Sequence, residues 1–123
     1  MKLLTHNMLT SHVKGVKNGY PLVINASKVE VRRVDFNSEF ISRMIPRLEW
    51  PVVKQAAVVL GHGDAIPDAP PSEFERNEDF LKSAHHILME VEILEGALVC
   101  PESGRKFPIT NGIPNMLLNE DEV

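Results

Sequence analysis

The two ends of the chain read as strands and its middle as helices. Near the N-terminus, "YPLVINASKVEVRRVDF" holds two β-rich runs, Leu22 to Ile24 and Val29 to Val34. In the second, Val29 and Val31 alternate with Glu30 and Arg32, the period-2 sign of a strand with one buried face. Asn25, Ala26 and Ser27 lie between the runs and carry turn chemistry, which predicts a hairpin.

The period changes after Phe36. Asn37 is a predicted N-cap, with Phe36 just before it and Ile41 at the staple position. Phe40, Ile41, Met44, Ile45 and Leu48 then recur at helical spacing, and Pro46 limits the regular part because it has no amide donor. A second helix starts at "WPVVKQAAVVLG", with Pro51 in its first turn and Gly61 as its stop. "GHGDAIPDAPPSEFER" is a Gly- and Pro-punctuated loop. Asn77 caps a third helix, whose apolar stripe of Phe80, Leu81, Ala84, Leu88 and Val91 runs through "NEDFLKSAHHILMEVEIL".

After Gly96 the pattern is extended again. "ALVC", "KFPIT" and "IPNMLL" are short apolar runs separated by "PESG" and "NG". The expectation is an α+β fold: residues 1–36 and 94–123 form one antiparallel sheet, and residues 37–93 are a helical insertion packed beside it.

Composition narrows the functional classes. The 123 residues suit one domain, and 43% apolar with 24% charged residues suits a globular core. The formal charge is -4 and the 13 Lys and Arg are scattered, which argues against a strong nucleic-acid binder. A small RNA-binding module using Lys14, Lys17, Arg32, Arg33, Arg105 and Lys106 remains the alternative function. "MKLLTHNMLTSHVKG" is too polar for a signal peptide and too short for a membrane span, so a cytoplasmic or nuclear setting without membrane contact is expected.

Candidate chemistry is sparse. Cys100-Pro-Glu-Ser103 reads as half of a zinc knuckle, and one cysteine allows neither an intrachain disulfide nor an all-cysteine zinc site. A nucleophilic role for Cys100 lacks a nearby base, and a mixed site with His6 and His12 has no spacing to support it. His85 and His86 are neighbours on a predicted helix and diverge by about 100°, so one packs and one is solvated. No P-loop or G-x-G-x-x-G is present. The acidic end "NEDEV" reads as a solvated terminus. "GIPNMLL" is either ordinary core packing or an edge and apolar patch covered by another protein.

"MKLLTHNML" at the start, Trp50 followed by a helix, and "EGALVCPESGRKFPITNGIPNMLL" near the end together resemble the multifunctional methyltransferase activator subunits of eukaryotes. The resemblance covers the whole chain. It implies a zinc-ribbon-like sheet from both termini with a helical insertion. It also implies a non-catalytic partner of S-adenosylmethionine-dependent methyltransferases that modify tRNA, small-subunit rRNA and a translation release factor. Such a subunit forms heterodimers with Rossmann-fold enzymes that hold the cofactor themselves, and it meets RNA or release factor only through the complex. Zinc-bearing members carry four cysteines at the positions of Ser11, Val16, Cys100 and Ser103, so no metal is carried over to this chain. The partner-binding residues expected from the resemblance and from apolar character are Met8, Phe107, Ile109, Ile113, Pro114 and Met116, with Asn7 and Asn115 as polar anchors. No catalytic residue is expected.

Overall fold

The computed structural model describes residues 1–123. A short helix α1, Leu3–Met8, is followed by strand β1, Val23–Val31. Helices α2 (Ser38–Met44), α3 (Trp50–Val59) and α4 (Glu78–His85) come next. Strands β2 (Val91–Val99), β3 (Lys106–Thr110) and β4 (Ile113–Pro114) complete one antiparallel sheet in the spatial order β1-β2-β3-β4. The fold is therefore α+β, with β1 and β4 as the two edges of the sheet.

Helix starts follow the caps. The Asn37 side chain accepts the Phe40 N–H at 3.1 Å and the Asn77 side chain accepts the Phe80 N–H at 3.0 Å; each such cap contributes about 1 kcal/mol. Pro51 occupies the first turn of α3, where its missing N–H is no loss.

Three expectations are corrected. The predicted hairpin within residues 22–34 is one strand, paired with β2 from Val23↔Val99 to Val31↔Val91. Residues 25–27 form a bulge and not a turn, because the register slips between Ala26 and Lys28. The bulge lies opposite Gly96, where a Cβ would stand 2.3 Å from the Asn25 carbonyl oxygen. Second, the third helix ends early: α4 passes through one wide π turn, His86–Glu90, and the chain is already a strand at Val91. "ILMEVEIL" suits both periods, and pairing with β1 decides between them.

Third, the N-terminal segment is helical and not extended. Only its first two residues pair as a strand would: Lys2 bridges Glu92, the Met1 amino group lies 2.6 Å from the Ile93 carbonyl oxygen, and the Met1 carbonyl accepts the Ile93 N–H at 2.8 Å. Distant groups hold α1. His6 Nε2 lies 2.8 Å from the Leu22 carbonyl oxygen, and the Tyr20 hydroxyl donates to the Asn7 carbonyl at 2.8 Å. A carbonyl only accepts, so His6 donates from Nε2; burial lowers its pKa and keeps the ring neutral.

Ile41, Val53, Leu81, Ile87 and Leu88 from the helical region meet Val91, Ile93, Leu98, Phe107 and Ile109 of the sheet in one buried cluster. Burying each such side chain contributes roughly 1.5–3 kcal/mol. Trp50 stacks on Phe80 at 5.5 Å and donates to the Pro67 carbonyl at 3.0 Å, which ties α3 to α4 and to the loop between them. No helix is long and apolar enough to cross a membrane.

Candidate functional site

"KFPIT" alternates as a strand must: Phe107 and Ile109 are buried, while Lys106, Pro108 and Thr110 are exposed. Asn111 and Gly112 then turn the chain with φ of 51° and 78°, the two positive values of a type I′ hairpin. The Gly112 N–H donates to the Leu94 carbonyl at 2.9 Å, which fastens this turn to β2.

Beyond the turn the ladder runs out in a particular way. The Asn115 N–H donates to the Pro108 carbonyl at 2.8 Å, but Pro108 has no N–H to return to the Asn115 carbonyl. Leu117 is anchored at both main-chain groups, its N–H by the Asn115 side chain at 3.1 Å and its carbonyl by Arg105 at 3.2 Å. Met116 and Leu118 make no main-chain hydrogen bond within the chain. Anchored and unbonded residues thus alternate, which is the arrangement of an open sheet edge.

Beside this edge, Pro108, Thr110, Ile113, Pro114, Asn115, Met116 and Leu117 line an open groove of about 680 Å³. Ile113 is 69% and Leu117 78% exposed, and no residue from 111 to 118 carries a charge. Of the residues expected to bind a partner, Ile113, Pro114, Asn115 and Met116 come together here. Phe107 and Ile109 lie in the core and support the groove from inside. Asn7 is buried too: its side chain donates to the Glu49 carbonyl and accepts the Glu49 N–H, both at 3.0 Å, which fixes α1 to the start of α3. Met8 ends α1 and is exposed. Sequence reasoning missed Pro108 and Thr110 as groove residues, although alternation against Phe107 and Ile109 was enough to turn both outward; Leu117 lay in the apolar run "GIPNMLL" but outside the expected binding set.

The knuckle lies at the end of the hairpin. Burial pushes the Cys100 thiol up, but hydrogen bonds from the Ser103 and Ser11 hydroxyls and from the amides of Ser103 and Glu102 outweigh it and bring the thiol to about 7. Positions 11, 100 and 103 are therefore adjacent. Two hydroxyls and one thiol are a poor zinc donor set, and no three His, Cys, Asp or Glu side chains gather anywhere to hold a metal ion. Zinc does not fit these residues. A carboxylate links the two loops instead: Glu102 accepts the Lys17 N–H at 3.2 Å and the Asn18 N–H at 3.1 Å, bonds strengthened by its charge.

The other candidate residues do not converge. Cys100 is buried, His12 is exposed, and His6 is engaged with Leu22. His85 is buried against Phe36, and the more open His86 bonds Glu90 at 2.8 Å. The basic stripe is interrupted, since Arg105 pairs with Glu122 and Arg32 with Glu30 and Glu92.

The class these features define is a small α+β protein with a helical region between sheet strands and one unpaired apolar edge. The chain belongs to the Trm112 family: the family model described as Trm112p-like protein matches residues 2–112. It is similar to the multifunctional methyltransferase subunit TRM112-like protein of Mus musculus, 54% identical with 99% of this chain and 98% of the relative covered. TRM112 homolog A of Arabidopsis thaliana is 48% identical over the full length of both chains. TRM112 of Saccharomyces cerevisiae is 35% identical over 96% of each. In fold the chain resembles one in the solved E. cuniculi Mtq2–Trm112 complex responsible for methylation of the eRF1 translation termination factor, with a TM-score of 0.55, 19% identity and 95% of each chain covered.

Proposed function

We propose that this chain is a non-catalytic activator and stabilising subunit of S-adenosylmethionine-dependent methyltransferases acting on tRNA, small-subunit rRNA and a translation release factor. The partner, a Rossmann-fold enzyme, holds the cofactor and the reacting groups and contacts the RNA or release factor. The relatives named as multifunctional methyltransferase subunits support this reading across nearly the whole chain. The observation that carries it is the edge at residues 113–118, where the main-chain groups of Met116 are unbonded beside exposed Ile113 and Leu117.

A strand laid along this edge gains main-chain hydrogen bonds that are indifferent to its side chains, which is how one subunit serves several enzymes. Binding that requires the folded partner stabilises it by roughly 2.7 kcal/mol at a hundredfold excess over Kd. In this reading the sheet is a zinc-ribbon-like docking unit without its metal, the helices between β1 and β2 are its insertion, and the subunit works in cytoplasm and nucleus. The test is co-expression with an Mtq2-type methyltransferase. Ile113→Asp or Met116→Asp abolishes co-purification while the far-UV circular dichroism of the free chain is unchanged. Wild-type recovery of complex by both variants would sink the assignment.

A further inference from the structure

We propose that Arg105, with Glu122 as its counter-charge, is the positioning residue that holds the edge segment 115–118 in strand geometry for an incoming partner strand. This inference rests on the reading of that edge as the docking site. The register Ile109↔Pro114 of the β3–β4 hairpin, carried on through the Asn115–Pro108 bond, sets Lys106 opposite Leu117. Pro108 has ended the reciprocal ladder by then, and what remain to be joined are two acceptors, the Lys106 and Leu117 carbonyls.

Two acceptors are joined by a group that directs a donor at each. Arg105 does so: Nη1 donates to the Lys106 carbonyl and Nη2 to the Leu117 carbonyl at 3.2 Å. The fork is itself fixed. Its Nε and Nη2 reach the two Glu122 carboxylate oxygens at 2.7 and 3.2 Å, and its Cζ lies 4.8 Å from the centre of the Phe107 ring. Glu122 is held in turn, its carboxylate by the Asn119 N–H at 2.8 Å and its carbonyl by the Lys14 N–H at 2.6 Å.

The acidic C-terminal residues, a solvated terminus by sequence, thus become part of the device that straightens the edge. A lysine in place of Arg105 keeps the charge but cannot span the two carbonyls and the carboxylate together. Removing the fork leaves residues 115–118 to be ordered at the moment of binding, which weakens association without touching the contact residues.

The test compares wild type, Arg105→Lys and Glu122→Gln. Amide hydrogen exchange in the free chain is read first. Arg105→Lys is expected to speed exchange at Asn115 and Leu117 by about tenfold while Leu98 and Phe107 in the sheet keep their protection. Affinity for a co-purifying Mtq2-type methyltransferase then falls by about tenfold in Arg105→Lys, and by less in Glu122→Gln, which keeps the fork and loosens only its anchor. Unchanged exchange at Asn115 and Leu117 in Arg105→Lys would overturn the proposal, as would equal acceleration at Leu98 and Phe107, the sign of general destabilisation. Exchange needs no partner, so its failure is separate from failure of the docking reading, which shows instead as normal binding by Ile113→Asp.

Discussion

The two edges of the sheet are built to opposite ends. β1 is nine residues long, long enough to invite pairing, yet Lys28, Glu30 and Arg32 string ion pairs of 3.9 and 3.3 Å along it and a bulge interrupts it at Ser27. Its exposed Val29 and Val31 are interleaved with those charges. The other edge has a two-residue strand, β4, and an uncharged continuation with two of the most exposed apolar side chains in the molecule. Charge and bulging are common defences of an edge against stray pairing. Both are absent from the β4 side, and the docking proposal rests on that contrast.

Variants can break or sharpen this contrast. Phe107→Ala has the largest expected effect, because its side chain lies under the hairpin and in the shared core: about 3–5 kcal/mol of stability is lost, read as a lower urea midpoint, and the groove goes with it. Gly112→Ala acts on one edge only. Its φ of 78° is strained for alanine, and the new Cβ would meet Glu92 Oε1 at 3.1 Å, so about 1–2 kcal/mol is lost together with partner affinity. Removing the defences of the other edge, Lys28→Val with Glu30→Val, leaves stability within about 0.5 kcal/mol and partner affinity unchanged. Sedimentation should then show concentration-dependent self-association; a strictly monomeric double variant would mean the charges do not guard β1.

The smallest effect is a pH dependence centred on Glu90, behind β1. The Val34 N–H it accepts holds its carboxyl below the usual 4.5, burial opposes, and the bond from His86 adds to the lowering. A depressed folded pKa contributes stability that is present above the unfolded value and lost as pH falls through the folded one. Acid titration of stability below pH about 4.5 should therefore flatten in Glu90→Gln; an identical acid limb in both proteins would show that this carboxyl is not coupled to folding.

Elements fixed by neighbours in sequence were legible. The caps at Asn37 and Asn77, Pro51 at a helix start, the "NG" turn and the alternation in "KFPIT" all appear where local chemistry put them. What escaped depends on contacts far along the chain. A six-residue helix such as α1 has little stability of its own, and it exists because Leu22, Tyr20 and Glu49 bond His6 and Asn7. The bulge at residues 25–27 looks like a turn until β2 lies beside it. The candidate edge was half visible: "GIPNMLL" stood out as apolar and uncharged, but Asn7, a polar anchor by resemblance, is engaged inside the molecule, and the pairing of Arg105 with Glu122 across 17 residues has no local signal.

The Glu102 bridge between the two knuckle loops has a consequence for supply. Where a metal ion would cross-link these loops, this chain uses a carboxylate on two backbone amides, all made at the ribosome. A closure of this kind needs no exogenous ion, and adding a chelator is expected to leave the thermal midpoint of the chain unchanged.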